Sequence, residues 1–311
     1  MPAPGPTLLG RPGGADLGLL VVGVLGVSTS GPLMAACVAP ALAIAFWRNA
    51  LAAAVTWPLV LARRRDRAWA ELAARRGQVL LAGLLLAGHF ALWIPSLRLT
   101  SVASATAMVS TQPVWSAVIA KRAGQHVPAT AWWGIALAML GVFVLTGVDL
   151  SLDPPRVLGD VMGLVAAALA AGYVAVGARA RQGLSTGLYT SSVYTVCAAL
   201  LLVVVVLGRS QLVGYSTTTW VQILVLTLLA QLLGHTVFNR VLATTSPTVV
   251  SLAILFETPG AALLAAAFLQ QVPPLAALPA LVLLLAGLGL VVRGGAGPKD
   301  PGQHVEVDPL L

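Results

Sequence analysis

Ten runs of about twenty mostly apolar residues occupy most of this 311-residue chain, and they limit its fold more than any other feature. A helix that crosses the hydrocarbon core of a bilayer needs ~20 such residues. Only 9% of the residues are charged and 58% are hydrophobic, whereas soluble domains carry about 25% charged residues. The sequence therefore predicts an all-α integral membrane protein. The ten predicted spans are 17–37, 40–62, 78–97, 100–120, 130–148, 158–179, 186–207, 219–241, 247–270 and 275–293.

An internal repeat divides the chain into two halves of five predicted spans each. A constant shift of 146 positions takes Gly88-His89 to Gly234-His235, Pro113 to Pro259, Gln125 to Gln271, Pro128 to Pro274 and Gly141 to Gly287. Because five is odd, the second half enters the membrane from the opposite side, which is the inverted-repeat arrangement of secondary transporters. The predicted segments are a disordered tail 1–15, repeat one 16–149, a loop 150–156, repeat two 157–293 and a disordered tail 294–311.

The basic residues predict the orientation. With the N-terminus inside, 14 of the 18 Lys and Arg residues flank the inner ends of the spans. Cytoplasmic loops carry an excess of Lys and Arg, so both termini are predicted to be cytoplasmic. Arg48, near the outer part of the second span, is interpreted either as a side chain that snorkels to the interface or as an anion contact at the mouth of a cavity.

Glu257 is the one acidic residue well inside an apolar run. It lies about ten residues into the ninth run, or ~15 Å deep at 1.5 Å per residue. A carboxylate at this depth is costly unless it is paired, hydrated or protonated. Glu257 is therefore predicted to be a proton-coupling group that faces a cavity. The alternative is a protonated side chain that hydrogen-bonds to neighbouring helices or to a carbonyl near Pro259.

Polar side chains recur every fourth residue along the eighth span, on one helix face. They are Thr227, Gln231, His235 and Asn239. Lipid tails offer these groups no hydrogen bonds, so the face is predicted to line a cavity or to bond to other helices. The matching positions of the third span, Leu81, Leu85, His89 and Trp93, are apolar or aromatic apart from the histidine. One polar and one aromatic wall suit an amphipathic organic solute.

Three further patterns concern helix shape and packing. Ser28, Ser30 and Pro32 interrupt the first span, and Thr111, Gln112 and Pro113 interrupt the fourth. Proline kinks a helix, and the hydroxyl and amide groups then either line a cavity or satisfy the freed carbonyls. His89 and His235 either handle substrate or protons, or serve packing. Gly134, Ala138 and Gly141 form a small-residue face suited to close packing of spans five and ten.

Several function classes lack their sequence motifs. No P-loop, dinucleotide loop, nucleophile elbow or HExxH motif is present, so neither ATP nor another cofactor is implied. Cys37 and Cys197 lie far apart and do not indicate a disulfide or metal site. The net charge of +8 lies at the ends of apolar runs rather than on a nucleic-acid-binding face.

The arrangement of five plus five spans resembles the EamA-type branch of the drug/metabolite transporter superfamily over about 17–293. The most specific segments are HFALWIPSLRLTSVASATAMVSTQP at 89–113 and GHTVFNRVLATTSPTVVSLAILFETPGAALLA at 234–265. The family's Glu-Pro in helix nine is here Glu257-Thr258-Pro259, and Gln125 and Gln271 replace acids that the family commonly has. The resemblance implies transport, commonly export, of small organic metabolites, either proton-coupled or facilitative.

The sequence thus predicts a multi-pass transporter of the plasma membrane, in the bacterial inner membrane, that works by alternating access. Its expected partners are a small-molecule substrate, the lipid bilayer and protons, with no nucleic acid and with a homodimer left open. Two alternatives remain: a non-transporting scaffold or accessory subunit, and a membrane enzyme that modifies lipid.

Overall fold

The computed structural model describes residues 12–62, 66–100, 102–146, 153–269 and 277–294. All regular secondary structure in these ranges is helical. The helices are α1 Gly14–Ser28, α2 Ser30–Ala36, α3 Ala41–Ala62, α4 Asp66–Ala74, α5 Arg76–Leu99, α6 Val102–Val109, α7 Gln112–Arg122, α8 Ala129–Thr146, α9 Pro154–Arg181, α10 Thr186–Leu207, α11 Thr217–Leu226, the π-helical segment Thr227–His235, α12 Thr236–Val241, α13 Pro247–Ile254, α14 Glu257–Leu269 and α15 Ala277–Gly294.

Six helical segments in the described ranges are long and apolar enough to cross a bilayer, and each overlaps a predicted span. They are Gly14–Met34, Ala41–Ala62, Arg76–Leu99, Pro154–Arg181, Thr186–Leu207 and Thr217–Val241. Two shorter apolar helices, α8 and α15, lie at the predicted fifth and tenth spans. The predicted fourth and ninth spans are each divided into two helices, α6–α7 and α13–α14. The chain is a multi-pass membrane protein.

Some boundaries differ from the prediction. Helix α9 begins at Pro154, inside the predicted loop 150–156, because proline is well accommodated in the first turn, where no N–H donor is needed. Helix α1 begins at Gly14, inside the predicted tail 1–15. An additional helix, α4, lies in the connection after the second span. Residues 1–11, 147–152 and 295–311, and with them most of the predicted tails and loop, lie outside the described residues, as do Gln271 and Pro274.

Helix packing relates the two halves symmetrically. Helix α5 packs on α9, and the π-helical segment with α12 packs on α1, which is the same pair of spans with the halves exchanged. Three other pairs join equivalent spans to each other: α3 with α10, α7 with α13, and α8 with α15. The internal repeat in the sequence is therefore also a repeat in the tertiary contacts.

The contact between α8 and α15 depends on small residues, as predicted. A Cβ atom at Gly134 would lie 2.6 Å from the backbone oxygen of Gly287, and one at Gly141 would lie 2.9 Å from that of Ala280. The shift of 146 positions relates Gly134 to Ala280 and Gly141 to Gly287. The two close approaches are therefore equivalent under the internal repeat. Only residues without large side chains allow two backbones to approach this closely.

Three spans are broken, and two of the breaks lie where the sequence predicts kinks. Thr29 separates α1 from α2, and Ser110-Thr111 separates α6 from α7. Leu255-Phe256 separates α13 from α14 within one residue of the equivalent position, so Glu257 is the first residue of α14. These breaks bring non-helical backbone and polar side chains to the middle of the bundle, where protein rather than lipid surrounds them.

Candidate functional site

Arg48 lies at the centre of the bundle. Its side chain is completely buried, with 0% relative exposure. Its Nε donates a 2.8 Å hydrogen bond to Oε1 of Gln231, and its guanidinium carbon lies 4.8 Å from the ring centroid of Phe90. The interpretation of Arg48 as a snorkelling side chain is wrong, because a hydrogen bond and an aromatic face inside the protein replace the water that a snorkelling side chain would reach.

Gln231, a predicted site residue, links three elements around Arg48. Its Nε2 donates to Oδ1 of Asn49 at 3.2 Å. Its backbone oxygen accepts hydrogen bonds from the hydroxyl of Thr236 at 3.2 Å and from that of Tyr194 at 3.4 Å. Gln231 therefore connects α3 of the first half to the π-helical segment and α10 of the second half.

The four-residue spacing of the polar side chains predicts an uninterrupted α-helix for the eighth span, but the structure differs. Thr227–His235 form a π-helical segment, in which each N–H donates to the carbonyl five residues earlier. One such bond runs from the N–H of Thr236 to the oxygen of Gln231. Segments of this kind occur frequently at functional sites. Here the segment carries Thr227, Gln231 and His235, three of the four residues of the predicted polar face.

The other members of that face bond away from Arg48. The hydroxyl of Thr227 donates to the oxygen of Ile223 at 2.8 Å, within its own helix. Asn239 is buried on α12, where its Oδ1 accepts a 2.7 Å hydrogen bond from the hydroxyl of Tyr173 and its backbone oxygen accepts one of 3.0 Å from Nε of Arg181. The two bonds of Asn239 join the eighth span to α9. The hydroxyl of Thr227 is used within its own helix.

An aromatic wall from α5 faces the polar residues, and Phe90 is its central member. The Phe90 ring lies 6.0 Å from that of His235, edge to face, and 5.1 Å from that of His89. His89 stacks on Trp93 at 5.7 Å and donates through Nδ1 to the oxygen of Ala166 at 3.0 Å. The indole Nε1 of Trp93 is buried without a hydrogen-bond partner among the described residues. His89 and Trp93 are predicted site residues, whereas Phe90, which contacts both Arg48 and His235, is not among them.

Glu257 completes the arrangement. Its side chain is half-buried and interacts electrostatically with Arg48, although Nη1 and Nη2 of Arg48 form no hydrogen bond to any described residue. His235, also half-buried, interacts electrostatically with Arg48 as well. We call Arg48, Phe90, Gln231, His235 and Glu257 the central cluster. It takes side chains from α3, α5, the π-helical segment and α14, and so from both halves.

The hydroxyl groups at the predicted kinks bond within their own helices. Ser28 is buried against Gly260, and its Oγ donates to the oxygen of Val24 at 2.7 Å. Thr111 Oγ1 donates to the oxygen of Met108 at 2.7 Å. Ser30 is buried in α2. For Ser28 and Thr111, these bonds match the alternative in which the side chains satisfy carbonyls freed by the kink.

Gln112 belongs to a second polar group, between α7 and α13. Its Nε2 donates to Oγ of Ser251 at 3.1 Å, and the hydroxyls of Ser251 and Ser116 are 2.9 Å apart. We call Gln112, Ser116 and Ser251 the polar bridge. A cavity of about 210 Å³ is lined by Ser116 and by residues of both halves, including Gln125, Arg179 and Thr244. On α13, Ser251 lies between Pro247, which lines this cavity, and Glu257, the first residue of α14.

Comparison with known proteins assigns the chain to a family. Residues 15–147 and residues 157–293 each match the EamA-like transporter family. A crystal structure of a protein with 16% sequence identity superposes with a TM-score of 0.75, over 90% of this chain and 96% of that one, which demonstrates a shared fold. No curated protein sequence matches significantly. With both halves matched over nearly their whole length, the chain belongs to the EamA-like transporter family of the drug/metabolite transporter superfamily.

Proposed function

We propose that this protein is a secondary transporter that exports small organic metabolites, such as amino acids, amines or drugs, across the bacterial inner membrane by alternating access. The observation that carries the proposal is the central cluster, in which Arg48 of the first half bonds to Gln231 of the second at 2.8 Å. Substrate sites of inverted-repeat transporters lie between the repeats, near the midplane. Buried ionisable groups in membrane helices mark such pathways.

The topology that fits this function has ten spans and two cytoplasmic termini. The shorter helices α8 and α15 and the divided pairs α6–α7 and α13–α14 complete the six long spans to ten. With Arg48 in the interior, only Arg98, Arg156 and Arg209 remain at the outer ends, so the excess of basic residues on the inner side is larger than the sequence count suggested. The cavity beside Arg179 then opens to the cytoplasm.

Alternating access requires a barrier on each side of the substrate site that opens in turn. We assign the inner barrier to the polar bridge, because its two hydrogen bonds join α7 to α13 beside the cavity. The breaks at Ser110-Thr111 and Leu255-Phe256 flank it on α6–α7 and α13–α14. Breaks in the helices are suitable hinges, because few residues there absorb the change in backbone dihedral angles.

Glu257 is the group that would couple export to protons. It is partly accessible and lies within electrostatic reach of Arg48 and of the half-buried His235. If it binds a proton from outside and releases it inside, the proton gradient drives the opposite movement of substrate. If it stays in one protonation state, transport is facilitative.

The direct test is transport by purified protein in proteoliposomes. Labelled amino acids, amines and drugs are screened for uptake, with protein-free liposomes as the control, and the active compounds are retested in everted membrane vesicles, where export appears as uptake. We expect saturable uptake of at least one compound. A folded protein that moves none of them contradicts transport and favours the scaffold alternative.

A further inference from the structure

Most hydrogen-bond donors of Arg48 are unused. A guanidinium has five N–H donors, and within the described part of the chain only the one on Nε has a partner, Oε1 of Gln231. The atoms Nη1 and Nη2 are buried and have no hydrogen-bond partner among the described residues. A buried cation is normally fully paired because removing it from water is expensive. A purely structural role would therefore leave the hydrogen-bonding groups on Nη1 and Nη2 without the partners that a buried cation needs.

Neighbouring groups do not fill the gap. The carboxylate of Glu257 interacts with Arg48 electrostatically but accepts no hydrogen bond from Nη1 or Nη2. Phe90 covers one face of the guanidinium at 4.8 Å, which leaves the edge formed by Nη1 and Nη2. The bond from Nε to Gln231 fixes the orientation of that edge. The two N–H groups on such an edge match the two oxygens of a carboxylate and bind it through two parallel hydrogen bonds.

We propose that Nη1 and Nη2 of Arg48 bind the carboxylate of the transported substrate. The inference rests on the proposed function and narrows its substrate class to organic acids and amino acids, at the expense of amines and neutral drugs. The rings of Phe90 and His235, 6.0 Å apart, form the wall against which the rest of such a molecule packs. Glu257, on the same cluster, is the counterpart for an ammonium group when the substrate is an amino acid.

The substrate carboxylate reaches Arg48 only when the halves move apart, because both Nη atoms are sealed from solvent here. In the closed protein the carboxylate then supplies the partners that Arg48 lacks. A ligand shifts a conformational equilibrium only through its differential affinity for the two states. The unpaired edge of Arg48 provides this difference in affinity. The closed state is more stable with a carboxylate bound to Nη1 and Nη2 than without one.

The first test needs no variant. Purified wild-type protein is offered matched sets of compounds: phenylalanine, phenylalaninamide, phenethylamine and 3-phenylpropanoate, and the corresponding sets built on leucine, alanine and glutamate. Binding is measured by the shift in unfolding temperature and transport by uptake into proteoliposomes. We expect the active compounds to carry a carboxylate and the matched amides to bind at least ~tenfold more weakly, since lost charge-assisted bonds leave the arginine unpaired. Amides or amines that bind as well as the acids overturn the inference.

The second test changes the arginine. In Arg48→Gln, acid and amide should bind equally, and Arg48→Lys should retain a weaker preference for the acid because a lysine cannot form the two-point contact. Arg98→Gln, which removes an exposed charge on α5, should leave the preference of the wild type unchanged. If Arg48→Gln does not fold, the wild-type comparison still decides.

The outcomes separate this inference from the proposed function. Transport of amines or neutral compounds without any carboxylate leaves the exporter intact and rejects the role of Arg48. A complete lack of transport rejects both. A thermal shift with chloride or acetate that no larger acid exceeds identifies a site for a small anion only, and also rejects the substrate class.

Discussion

The hydrogen bond from Nε of Arg48 to Oε1 of Gln231 joins residues 183 positions apart in the chain and connects the two repeats at 2.8 Å. The same glutamine donates to Asn49 at 3.2 Å, so its amide holds two neighbouring residues of α3 against the π-helical segment. This small network determines where the buried charge of Arg48 points, and the orientation of that charge defines the candidate site.

Replacing Gln231 by leucine should destabilise the protein. The change leaves Nε of Arg48 and Oδ1 of Asn49 without partners, and unsatisfied buried polar groups cost about 1–3 kcal/mol each. We expect a lower unfolding temperature in detergent and a loss of transport. Gln222→Leu is the matched control, because that side chain makes an exposed hydrogen bond to Ala36 and surface changes stay within about 0.5 kcal/mol. Equal effects of the two changes would contradict the network.

Glu257→Gln should fold and should lose the pH dependence of transport. Glutamine keeps the shape of the side chain but cannot bind and release a proton. Initial rates in proteoliposomes with imposed pH gradients measure the effect. Glu71→Gln, an exposed change on α4, should leave the dependence intact. A pH profile of the Glu257 variant that matches the wild type would remove the proton from the mechanism and leave facilitative transport.

Gly287→Ala should weaken the packing of α8 against α15. The new Cβ atom would lie 2.5 Å from the oxygen of Gly134 and 2.9 Å from Cβ of Ala138, so the helices must separate, at a cost of about 1–3 kcal/mol for overpacking. Thermal unfolding in detergent measures the loss. Gly289→Ala, two residues away on the same helix, meets no atom within 4 Å and should cause little change. Equal stability of both variants would show that this contact is not tight.

Ser251→Ala should open the inner barrier more often. It removes the partner of both Gln112 and Ser116, and a typical net contribution of ~1 kcal/mol per hydrogen bond gives ~2 kcal/mol for the two, which predicts a roughly thirtyfold increase in opening. Cys197 is fully buried and lies within electrostatic reach of Arg48, so its alkylation by N-ethylmaleimide reports access to the central cluster. The measurement uses a Cys37→Ser background. The control is Thr218→Ala, which changes an exposed side chain on α11. Unchanged labelling of Cys197 in the Ser251 variant would mean that the bridge is not a barrier.

The positions of the helices and the repeat could be read directly from the sequence. A bilayer requires long apolar segments, and this requirement is local, so each predicted span has a helical counterpart within a few residues. The packing of Gly134 against Gly287 was also predictable, because small residues in register on two helices have few other uses in a membrane. Glu257 and Gln231 stood out because polar groups in apolar runs are costly.

The tertiary structure alone decided which of these residues come together. Arg48 near the end of an apolar run fits either a snorkelling side chain or a buried one, and its depth depends on Gln231 and Phe90, which approach only after the halves pack. The π-helical segment has no signature in the spacing of side chains, because it depends on a change of hydrogen-bond partners. The sequence by itself determined the membrane spans and the internal repeat, since both follow from local hydrophobicity and register. Only long-range packing decided which of the rare polar residues meet, and it placed at the centre an arginine with two nitrogens that have no hydrogen-bond partner in the described ranges.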